Sequence, residues 1–543
     1  MSWVTEVWGA RAIVYSGTTK KDNLRVAILA YSTRNGDIPH RVVYGRLGWI
    51  KLNDEWRYLT GSGAIGKDGL DTSIQVDMGG GHMAKYGLPA PPTQEQLKTD
   101  VAILKDLLEI CPNRKEIGAV LLACIARAPL GECHPTDFAV FVHGQTGSLK
   151  SSVTAIALGF FGGFDARSFP ANFSDSDSDL EGKAHQAKDA VFIVDDFKPA
   201  TNQVEATRLH TKTERFIRNT GNQAGRGRRN PDMTTKPAPY NRSLTIMTGE
   251  DMPKGQSILA RMLVLELCRN DVNIATLSRL QQAAHDGVLM RIMAGYILWL
   301  AAQLDTLKEA FPTDVREYRD MTLKEGQLNS HSRAPEMHAN MVAAVFQLRQ
   351  YLDSQNLSGL IDKDAIEHAL LAAFKAQAEY QAEQDEVETF ADLIRSVLSS
   401  GHGYIALAQN QSPPAKHPHR YGWRKTEGDI GPTYTPLGDC FGWLWGKDGE
   451  DWQIWLEPKT AYRLAVDNAR RSGEPFLMGS GTLWRRMDNR GLLLEVEKQK
   501  NGTSRKDPKK TIAGVRTRVI VVAENWLLPT SDALEEGNED EKS

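Results

Sequence analysis

The sequence is poor in cysteine, and its cysteines are not spaced as in a disulfide framework or a zinc site. Its five cysteines form no Cys-x-x-Cys pair, have no histidine at zinc-finger spacing, and stand apart at Cys111, Cys124, Cys133, Cys268 and Cys440. An odd and dispersed set excludes a disulfide framework and a structural zinc site, and it predicts buried thiols in a reducing cytoplasm.

Long apolar runs are also absent. The longest candidate, Ile292 to Leu304, is shorter than the ~18 apolar residues that a membrane span needs. The first residues do not combine a basic stretch with an apolar one, as a secretory signal does. These absences predict a cytoplasmic protein that has no membrane partner.

There is little net charge of either sign. The chain has 65 Lys and Arg against 68 Asp and Glu, which gives a net charge of −3. This balance excludes nucleic-acid binding through overall positive charge, but it allows a local basic groove. Apolar residues make up 41% of the chain and charged residues 24%, as in ordinary globular proteins, and 543 residues suffice for three or four domains.

Residues 1–93 contain several short runs of β-branched and aromatic residues. These runs predict an N-terminal β-rich domain. The runs are Ala12–Tyr15, Leu24–Tyr31 and Arg41–Tyr44, and a segment from Gly48 to Leu59 predicts a hairpin that turns at Asn53 and Asp54. Three prolines and a helix-start pattern at Thr93 then place the first boundary near residue 93.

From residue 94 to 271, short apolar runs alternate with helical patterns. The runs predicted as strands are Phe138–Val142, Asp189–Asp196, Ser243–Thr248 and Met262–Leu267. Nearly continuous apolar strands between helices are typical of a parallel sheet with both faces covered. Beyond this core, 272–400 is almost wholly helical, 401–530 combines a β and loop region with a helix-helix-strand unit, and 531–543 is an acidic tail expected to be disordered.

The sharpest motif lies between the first of these strands and a helix. A phosphate-binding loop needs small residues that turn backbone N–H groups inward, a lysine for the β and γ oxygens, a hydroxyl for Mg²⁺, and a helix N-terminus behind them. The residues predicted to bind nucleotide are Gly144, Gln145, Thr146, Gly147, Ser148, Leu149, Lys150, Ser151 and Ser152. The alternative is a chance glycine-rich turn.

One residue of the motif departs from the strict pattern. Leu149 stands where the usual loop has its second glycine. A leucine here has to fit a backbone position that is normally reserved for glycine.

A strand that ends in two carboxylates follows some 45 residues after Lys150. We assign Asp195, together with the Ser151 hydroxyl, to Mg²⁺, and Asp196 to the attacking water. The alternative is a strand that ends in polar residues only because it leaves the core.

Two further residues complete the predicted catalytic set. Thr248, at the tip of the third strand, is the candidate sensor of the γ-phosphate, and Glu250 is the second choice. Arg261 opens the fourth strand, where its guanidinium could stabilise charge on a neighbouring subunit's γ-phosphate. Arg215 and Arg218 are alternatives for this trans-acting role, and a surface or ion-paired arginine is the simpler reading of Arg261.

Two basic segments are candidates for DNA binding. In the first, Arg226, Arg228 and Arg229 alternate with glycines, which allow close approach to a phosphodiester. The second has the helix, helix, basic wing order of a winged helix and has eleven Lys and Arg against four Asp and Glu from residue 485 to 518. Its recognition helix would present Arg485, Arg486 and Arg490. The alternatives are a solvated basic loop and a winged helix that binds protein.

Several stretches together resemble a known family. They are Gly48-Trp-Ile, Gly63-Ala-Ile-Gly, Gly144-Gln-Thr-Gly-Ser-Leu-Lys-Ser, Val194-Asp-Asp-Phe, Gly221-Asn-Gln-Ala-Gly-Arg-Gly-Arg, Thr248-Gly-Glu-Asp and Ala260-Arg-Met-Leu-Val-Leu-Glu-Leu. The chain resembles, over residues 40–525, the helicase-like proteins of bacterial mobile elements and prophages, long catalogued as a domain of unknown function. It is similar to the AAA+ ring helicases that staphylococcal cassette elements encode, and its Leu149 and its Asp-Asp pair look like that family's own variants.

The resemblance implies a hexameric, ATP-driven DNA translocase with an N-terminal β domain and a C-terminal winged helix. With the motifs, it predicts an α/β P-loop NTPase core of AAA+-like type at 94–271, a helical lid or linker at 272–400 and a winged helix within 401–530. ATP and Mg²⁺ are the expected cofactors, and single-stranded or forked DNA and further copies of the chain are the expected partners. Two alternatives stay open: a nucleotide-switched DNA-binding regulator or initiator without unwinding activity, and a non-motor NTPase or small-molecule kinase.

Overall fold

The structure is a computed structural model that describes residues 17, 19–34, 41–198, 203–223, 225, 228–229, 235–236, 239–250, 252–253, 256–324, 326, 328, 333–383, 386–428, 431–446, 452–472, 476, 478–498 and 504–529. The chain divides into two compact units. The first consists of Met1–Pro253 and Ala260–Lys375, and the second of Lys254–Leu259 and Ala376–Ser543. The acidic tail and the predicted strand Ala12–Tyr15 lie outside the described residues.

The first described element corrects a sequence prediction. Leu24–Tyr31 was expected to be a strand, but it lies inside a helix, Lys20–Arg34. Asp22 in the first turn and Arg34 in the last turn interact favourably with the helix dipole. The strand preference of β-branched residues depends on a neighbouring strand to pack against, and this segment pairs with no strand among the described residues.

Short strands follow the helix. Strands β1 (Val43–Tyr44) and β6 (Gln75–Val76) form a parallel pair. Between them, four antiparallel strands are joined in sequence order: β2 (Gly48–Leu52), β3 (Glu55–Thr60), β4 (Gly63–Gly66) and β5 (Gly69–Asp71). The predicted hairpin is confirmed, because Asn53 and Asp54 adopt φ of 51° and 63° between β2 and β3, as a tight type I′ turn requires.

Helices then lead to the central sheet. A 3₁₀ turn at Gly81–Lys85 precedes the helices Gln94–Asp100, Ile103–Leu108 and Lys115–Arg127, and a second 3₁₀ turn lies at Ala128–Leu130. The predicted start at Thr93 is confirmed by a capping box in which the side chains of Thr93 and Gln96 each accept a hydrogen bond from the other's backbone N–H.

The core of the first unit is a five-stranded parallel sheet, as the sequence predicts. Its strands are β7 (Ala139–His143), β8 (Ala171–Asn172), β9 (Val191–Phe197), β12 (Leu244–Gly249) and β13 (Met262–Glu266), in the spatial order β13-β7-β12-β9-β8. Strand β8 was not predicted because two residues give no periodic signal. Helices Lys150–Gly159, Asp177–Gln186 and Gln203–Asn222 connect the strands, and a small antiparallel pair, β10 (Arg228–Arg229) and β11 (Thr235–Lys236), precedes β12.

The predicted helical content of residues 272–400 is confirmed. The helices are Ile274–His285, Val288–Ala301, Leu304–Lys324, Ala334–Ser354, Lys363–Glu383 and Glu386–Ser400. Within the described part of the chain, no single helix has the length and apolar composition to cross a membrane, and only the pair Val288–Ala301 and Leu304–Lys324, bent by 96°, meets that measure.

The second unit is built on a four-stranded sheet in the order β14-β17-β18-β23. The strands of this unit are β14 (Gly403–Leu407), β15 (Trp423–Gly428), β16 (Gly431–Pro436), β17 (Asp439–Trp445), β18 (Gln453–Leu456), β19 (Glu497–Lys498), β20 (Ser504–Arg505), β21 (Lys509–Ile512), β22 (Val515–Arg518) and β23 (Ile520–Ala523). Its shorter helical elements are Gln256–Leu259, the 3₁₀ turn Pro418–Tyr421, Pro458–Arg471, Ser480–Asn489 and Glu524–Leu527. Two helices, antiparallel strand pairs and a final strand therefore follow one another in the predicted order.

Candidate nucleotide-binding site

The predicted phosphate loop is a tight turn between β7 and the helix Lys150–Gly159. Its backbone is held by hydrogen bonds from Ser148 N–H to the Gln145 carbonyl, 3.1 Å, and from Gly144 N–H to the Gly249 carbonyl, 3.2 Å. Gly144 has no room for a side chain, because a Cβ there would lie 2.2 Å from the Leu267 carbonyl oxygen. Close packing of the backbone around this turn therefore requires a residue without a side chain at this position.

Leu149 has the kind of backbone conformation that favours glycine. Its φ of 67° and ψ of 18° are left-handed, and it stands as the residue before the first helical turn. Such a backbone costs an L-residue roughly 1–2 kcal/mol relative to right-handed conformations. Strain of this kind persists only where the surroundings impose it, and it is commonly found at functional sites.

Two groups in the loop suit an anionic ligand. Lys150 and Ser151 open the helix Lys150–Gly159, whose first N–H groups and dipole attract anions. The Ser148 hydroxyl is buried and has no hydrogen-bond partner among the described residues, and buried polar atoms are rarely left without one. Together with the Lys150 ammonium, this donor set fits a phosphate-bearing ligand.

The two carboxylates at the end of β9 lie on a bulge that the sequence did not reveal. In the pairing of β9 with β12, Val194 faces Met247 and Phe197 faces Gly249, so that Asp195 and Asp196 together oppose Thr248. Asp196 has a φ of 75°. A bulge interrupts the alternation of side chains along a strand and can re-aim them beside a functional site.

Thr248 holds this bulge in place. Its hydroxyl accepts a hydrogen bond from the Asp196 N–H at 3.3 Å and donates one to Asp195 Oδ1. The Ser151 hydroxyl donates to the same oxygen from 3.2 Å. The structure thus brings together the predicted Ser151, Asp195, Asp196 and Thr248, with the Thr248 hydroxyl bonded to both aspartates.

The electrostatics of the pair differ between its members. Burial raises the pKa of the Asp195 carboxyl and the negative charge of Asp196 adds to this, while hydrogen bonds from Thr248 and Ser151 act in the opposite direction. Asp196 forms an ion pair with Lys198, with 2.7 Å between Oδ2 and Nζ. A cation at Asp195 would therefore offset a charge that the site itself disfavours.

The oxygen ligands suit Mg²⁺ in a complex with nucleotide. The described residues contain no group of three or more His, Cys, Asp or Glu side chains that could hold a metal ion. Mg²⁺ is commonly held by one or two protein carboxylates together with water and substrate phosphates. Ser151 and Asp195 could supply the protein's share of such a shell.

Two side chains beside the loop received little or no weight in the sequence analysis. The Glu250 carboxylate accepts a hydrogen bond from the Thr146 hydroxyl and lies 4.0 Å from the Lys150 ammonium. The guanidinium of Arg269 donates to the Thr146 carbonyl at 3.0 and 3.3 Å. Arg269 follows β13, a neighbour of β7, so its place just past the end of a parallel strand was the signal that could have identified it.

Arg261 lies at the opposite edge of the sheet. Its carbonyl accepts from the N–H of Ala139, where β7 begins, whereas the phosphate loop follows the end of β7. Its side chain packs over Gly221, where a Cβ would lie 3.0 Å from the Arg261 Cδ and Nε. Burial lowers the pKa of Arg261, and the positive charges of Arg333 and Arg218 lower it further.

The alternative trans-acting arginines are both ion-paired. Arg215 lies 2.6 Å from Asp177, and Arg218 lies 2.7 Å from Glu214. Both are exposed side chains on the helix Gln203–Asn222.

The predicted DNA-binding arginines fall into two groups in different units. Arg228 and Arg229 form β10 of the small hairpin, and Arg226 lies outside the described residues. On the helix Ser480–Asn489, Arg485 is exposed, while Arg486 forms a 2.8 Å ion pair with Glu386. The side chain of Arg486 is therefore engaged inside its own unit, and Arg490 follows the helix as its C-terminal cap.

Comparisons with known proteins bear on the fold alone. No protein-family model and no curated protein matches the chain. The chain is similar to a solved structure described as "SCCmec type IV Cch - active helicase", with a TM-score of 0.55, 12% identity, and coverage of 94% of this chain and 85% of that one. A second structure, described as "The A form apo structure of NrS-1 C terminal region-CTR", has a TM-score of 0.32 at 10% identity over 94% of this chain and 91% of that one, too low to support an argument. The chain thus has a mixed α/β, helicase-like fold with a central parallel sheet.

Proposed function

We propose that this protein is an ATP-dependent DNA helicase or translocase of a mobile element or prophage, and that it acts as a ring-shaped oligomer, a hexamer being favoured. The observation that carries the proposal is the contact between Ser151, in the phosphate loop, and Asp195, on the acidic strand, at 3.2 Å. A loop for phosphates and a carboxylate for the metal are the parts that an NTPase has to place side by side, and the helicase-like fold agrees with them.

ATP would be held by the loop from Gly144 to Ser152, with the Lys150 ammonium on the β and γ oxygens. Mg²⁺ would be held by Ser151 and Asp195, and it would neutralise charge on those oxygens. Asp196 would orient the attacking water. The Thr248 hydroxyl bonds to the Asp195 carboxylate and to the Asp196 N–H. It would hold the two aspartates in position and respond to the γ-phosphate.

Arg261 would act on the nucleotide of a neighbouring copy. It stands at the amino edge of the sheet, away from the phosphate loop of its own chain, among the positive charges of Arg218 and Arg333. Asp137 already supplies one negative charge beside these cations, and the γ-phosphate of an adjacent subunit would supply another. Hydrolysis would then take place between subunits.

DNA would be gripped by Arg226, Arg228 and Arg229 around the β10–β11 hairpin, which precedes β12. The second unit would be a winged helix, with Ser480–Asn489 as its recognition helix and the strands from β19 to β22 in its wing. Arg485 and Arg490 would contact DNA, while the Arg486–Glu386 pair would fasten that helix to its neighbour.

One contact favours the alternative, a nucleotide-switched regulator without unwinding activity. Asp196 is paired with Lys198 at 2.7 Å, which would slow hydrolysis if the pair persisted with ATP bound. A switch of this kind would turn ATP over slowly and without response to DNA.

Strand displacement on a forked duplex tests the proposal. The wild-type chain should separate the strands with ATP, and DNA should stimulate its ATPase activity. Lys150→Ala should reduce both activities to background, because the loop loses its phosphate-binding ammonium, while thermal unfolding without nucleotide stays as in wild type. Normal turnover in Lys150→Ala would remove the site assignment, and slow, DNA-indifferent turnover in wild type would favour the switch.

A further inference from the structure

The Glu250 carboxylate lies beside the phosphate loop and contacts residues at both of its ends. Glu250 follows β12, and its N–H donates to the Phe197 carbonyl at 2.9 Å, which fixes the backbone against the end of β9. Its side chain accepts from the Thr146 hydroxyl and lies 4.0 Å from the Lys150 ammonium. Glu250 therefore contacts one residue near the start of the loop and one at its end.

We propose that Glu250 is a positioning residue whose carboxylate stands in for the terminal phosphate of a nucleotide, and that it leaves Lys150 when a nucleoside di- or triphosphate binds. This inference rests on the proposed function. A carboxylate and a phosphoryl group share a negative charge and several acceptor oxygens, so either can satisfy the same ammonium and hydroxyl.

The exposure of the two side chains explains why a stand-in is useful. The Lys150 side chain is only 12% exposed and that of Glu250 is 35% exposed. A largely buried ammonium is costly without a counter-charge, so Glu250 keeps the lysine in the loop before nucleotide arrives. Phosphate brings a second negative charge to the same ammonium, and repulsion between the two anions drives the carboxylate away.

A second cation is available to the displaced carboxylate. The pKa of Lys198 is raised, first by its hydrogen bond to Asp196 and then by that aspartate's charge, and the charges of Glu250 and Asp195 raise it further. When Glu250 leaves Lys150, it can compete with Asp196 for Lys198.

The test compares Glu250→Gln with wild type in the full chain, by titration with ATP, ADP and AMP. Glutamine keeps an acceptor for the Thr146 hydroxyl but has no charge to offer Lys150. Since a partly exposed ion pair is worth about 0.2–1 kcal/mol, ATP should bind roughly 1.4- to fivefold more tightly. The gain should be smaller for ADP and absent for AMP, which has no phosphate at the lysine. In turnover, KM should fall.

Two further variants serve as controls. Glu266→Gln removes a charge from an exposed residue at the end of β13, on the same edge of the sheet, and should leave all three affinities unchanged. Glu250→Asp keeps the charge but withdraws it by one methylene, and its ATP affinity should lie between those of wild type and Glu250→Gln. If Glu250→Gln does not fold, the aspartate variant carries the comparison.

The outcomes separate this inference from the proposed function. Unchanged ATP affinity in Glu250→Gln, an equal gain for AMP, or loss of ATP binding in a folded Glu250→Gln variant would overturn the stand-in role, while a binding defect in Lys150→Ala would still support the nucleotide site. If wild type and Lys150→Ala bind ATP equally, or neither binds, the proposed function itself fails.

Discussion

The two edges of the parallel sheet in the first unit have opposite chemistry. The carboxyl edge carries the phosphate loop with the Ser151–Asp195 contact, whereas Arg261 stands at the amino edge, beside the residue where β7 begins. The five residues of β7 separate the edges by about 17 Å. Groups that would hold phosphate and metal therefore lie apart, in one chain, from the arginine that would stabilise the developing charge.

With the roles proposed above, one copy of the chain would be unable to bring both sets of groups to one nucleotide. Two copies can, if the amino edge of one meets the carboxyl edge of the next. Such a head-to-tail contact is heterologous and closes into a ring when the rotation between copies permits. Variants at each edge can show whether the two edges cooperate in this way and what each contributes.

The largest effect is expected from variants that disable one edge each. Arg261→Ala should lower ATP turnover on the order of 1000-fold, since an arginine that stabilises the transition-state charge is worth at least that much, and it should bind ATP as wild type does. Lys150→Ala should be inactive, because the loop loses the ammonium that would bind the phosphates. A mixture of the two variants should recover part of the turnover, because some contacts then combine an intact loop with an intact arginine.

Arg261→Lys is the matched control for this experiment, because it keeps the charge but loses the planar fork. It should remain well below wild type. Failure of the mixture to recover any turnover, although the variants are shown to co-assemble, would contradict the trans arrangement. Full activity of Arg261→Ala alone would do so directly.

A smaller effect is expected from the charge at the carboxyl edge. Because the pKa of Asp195 is raised in the folded protein, its ionised form costs stability above that pKa, and the cost disappears as the pH falls through it. Asp195→Asn should therefore raise the thermal unfolding temperature at neutral pH by about 1–2 °C and abolish Mg²⁺-dependent turnover. Thermal scans at neutral and acidic pH check the sign, since the gain should shrink toward acid.

Asp305→Asn is a suitable control, because Asp305 is exposed and its pKa is lowered, chiefly by a hydrogen bond from Trp56. Its stability effect should have the opposite sign, and turnover should not change. A stability loss in Asp195→Asn that is the same at both pH values would contradict the electrostatic account.

The smallest effect is expected at Leu149. Leu149→Gly removes roughly 1 kcal/mol of left-handed strain but gives the unfolded chain more freedom by a similar amount, so the unfolding free energy should change by less than about 0.5 kcal/mol. Leu149→Val should be less stable than wild type, because a β-branched residue is poorly suited to positive φ. Thermal unfolding of the two variants measures this difference. Equal destabilisation by glycine and valine would show that the leucine side chain, not the backbone, matters.

Much of the site could be read from the sequence because its signals are local. The glycines and lysine of the loop, the apolar run that ends at Asp195 and the turn at Asn53 and Asp54 each depend on neighbours a few residues away. Turn chemistry and strand periodicity act over that distance, and the structure places each of these segments in the predicted type of element.

Longer-range features depended on pairing that no local pattern encodes. The bulge at Asp195 and Asp196 exists only because β12 runs beside β9 in a shifted register, and Glu250 and Arg269 reach Thr146 only because the sheet order brings three strand ends together. The helix Lys20–Arg34 replaced a predicted strand for the complementary reason: it has no neighbouring strand among the described residues.

The sequence by itself thus determined which residues are candidates for binding phosphate and metal and which strands and helices bear them. Only the tertiary structure decided which carboxylate faces the lysine, how the two aspartates are aimed, and that Arg261 lies at the far edge. The physical reason is that a turn or a helix start is fixed by contacts within a few residues, whereas a site between parallel strands is fixed by strand order and register.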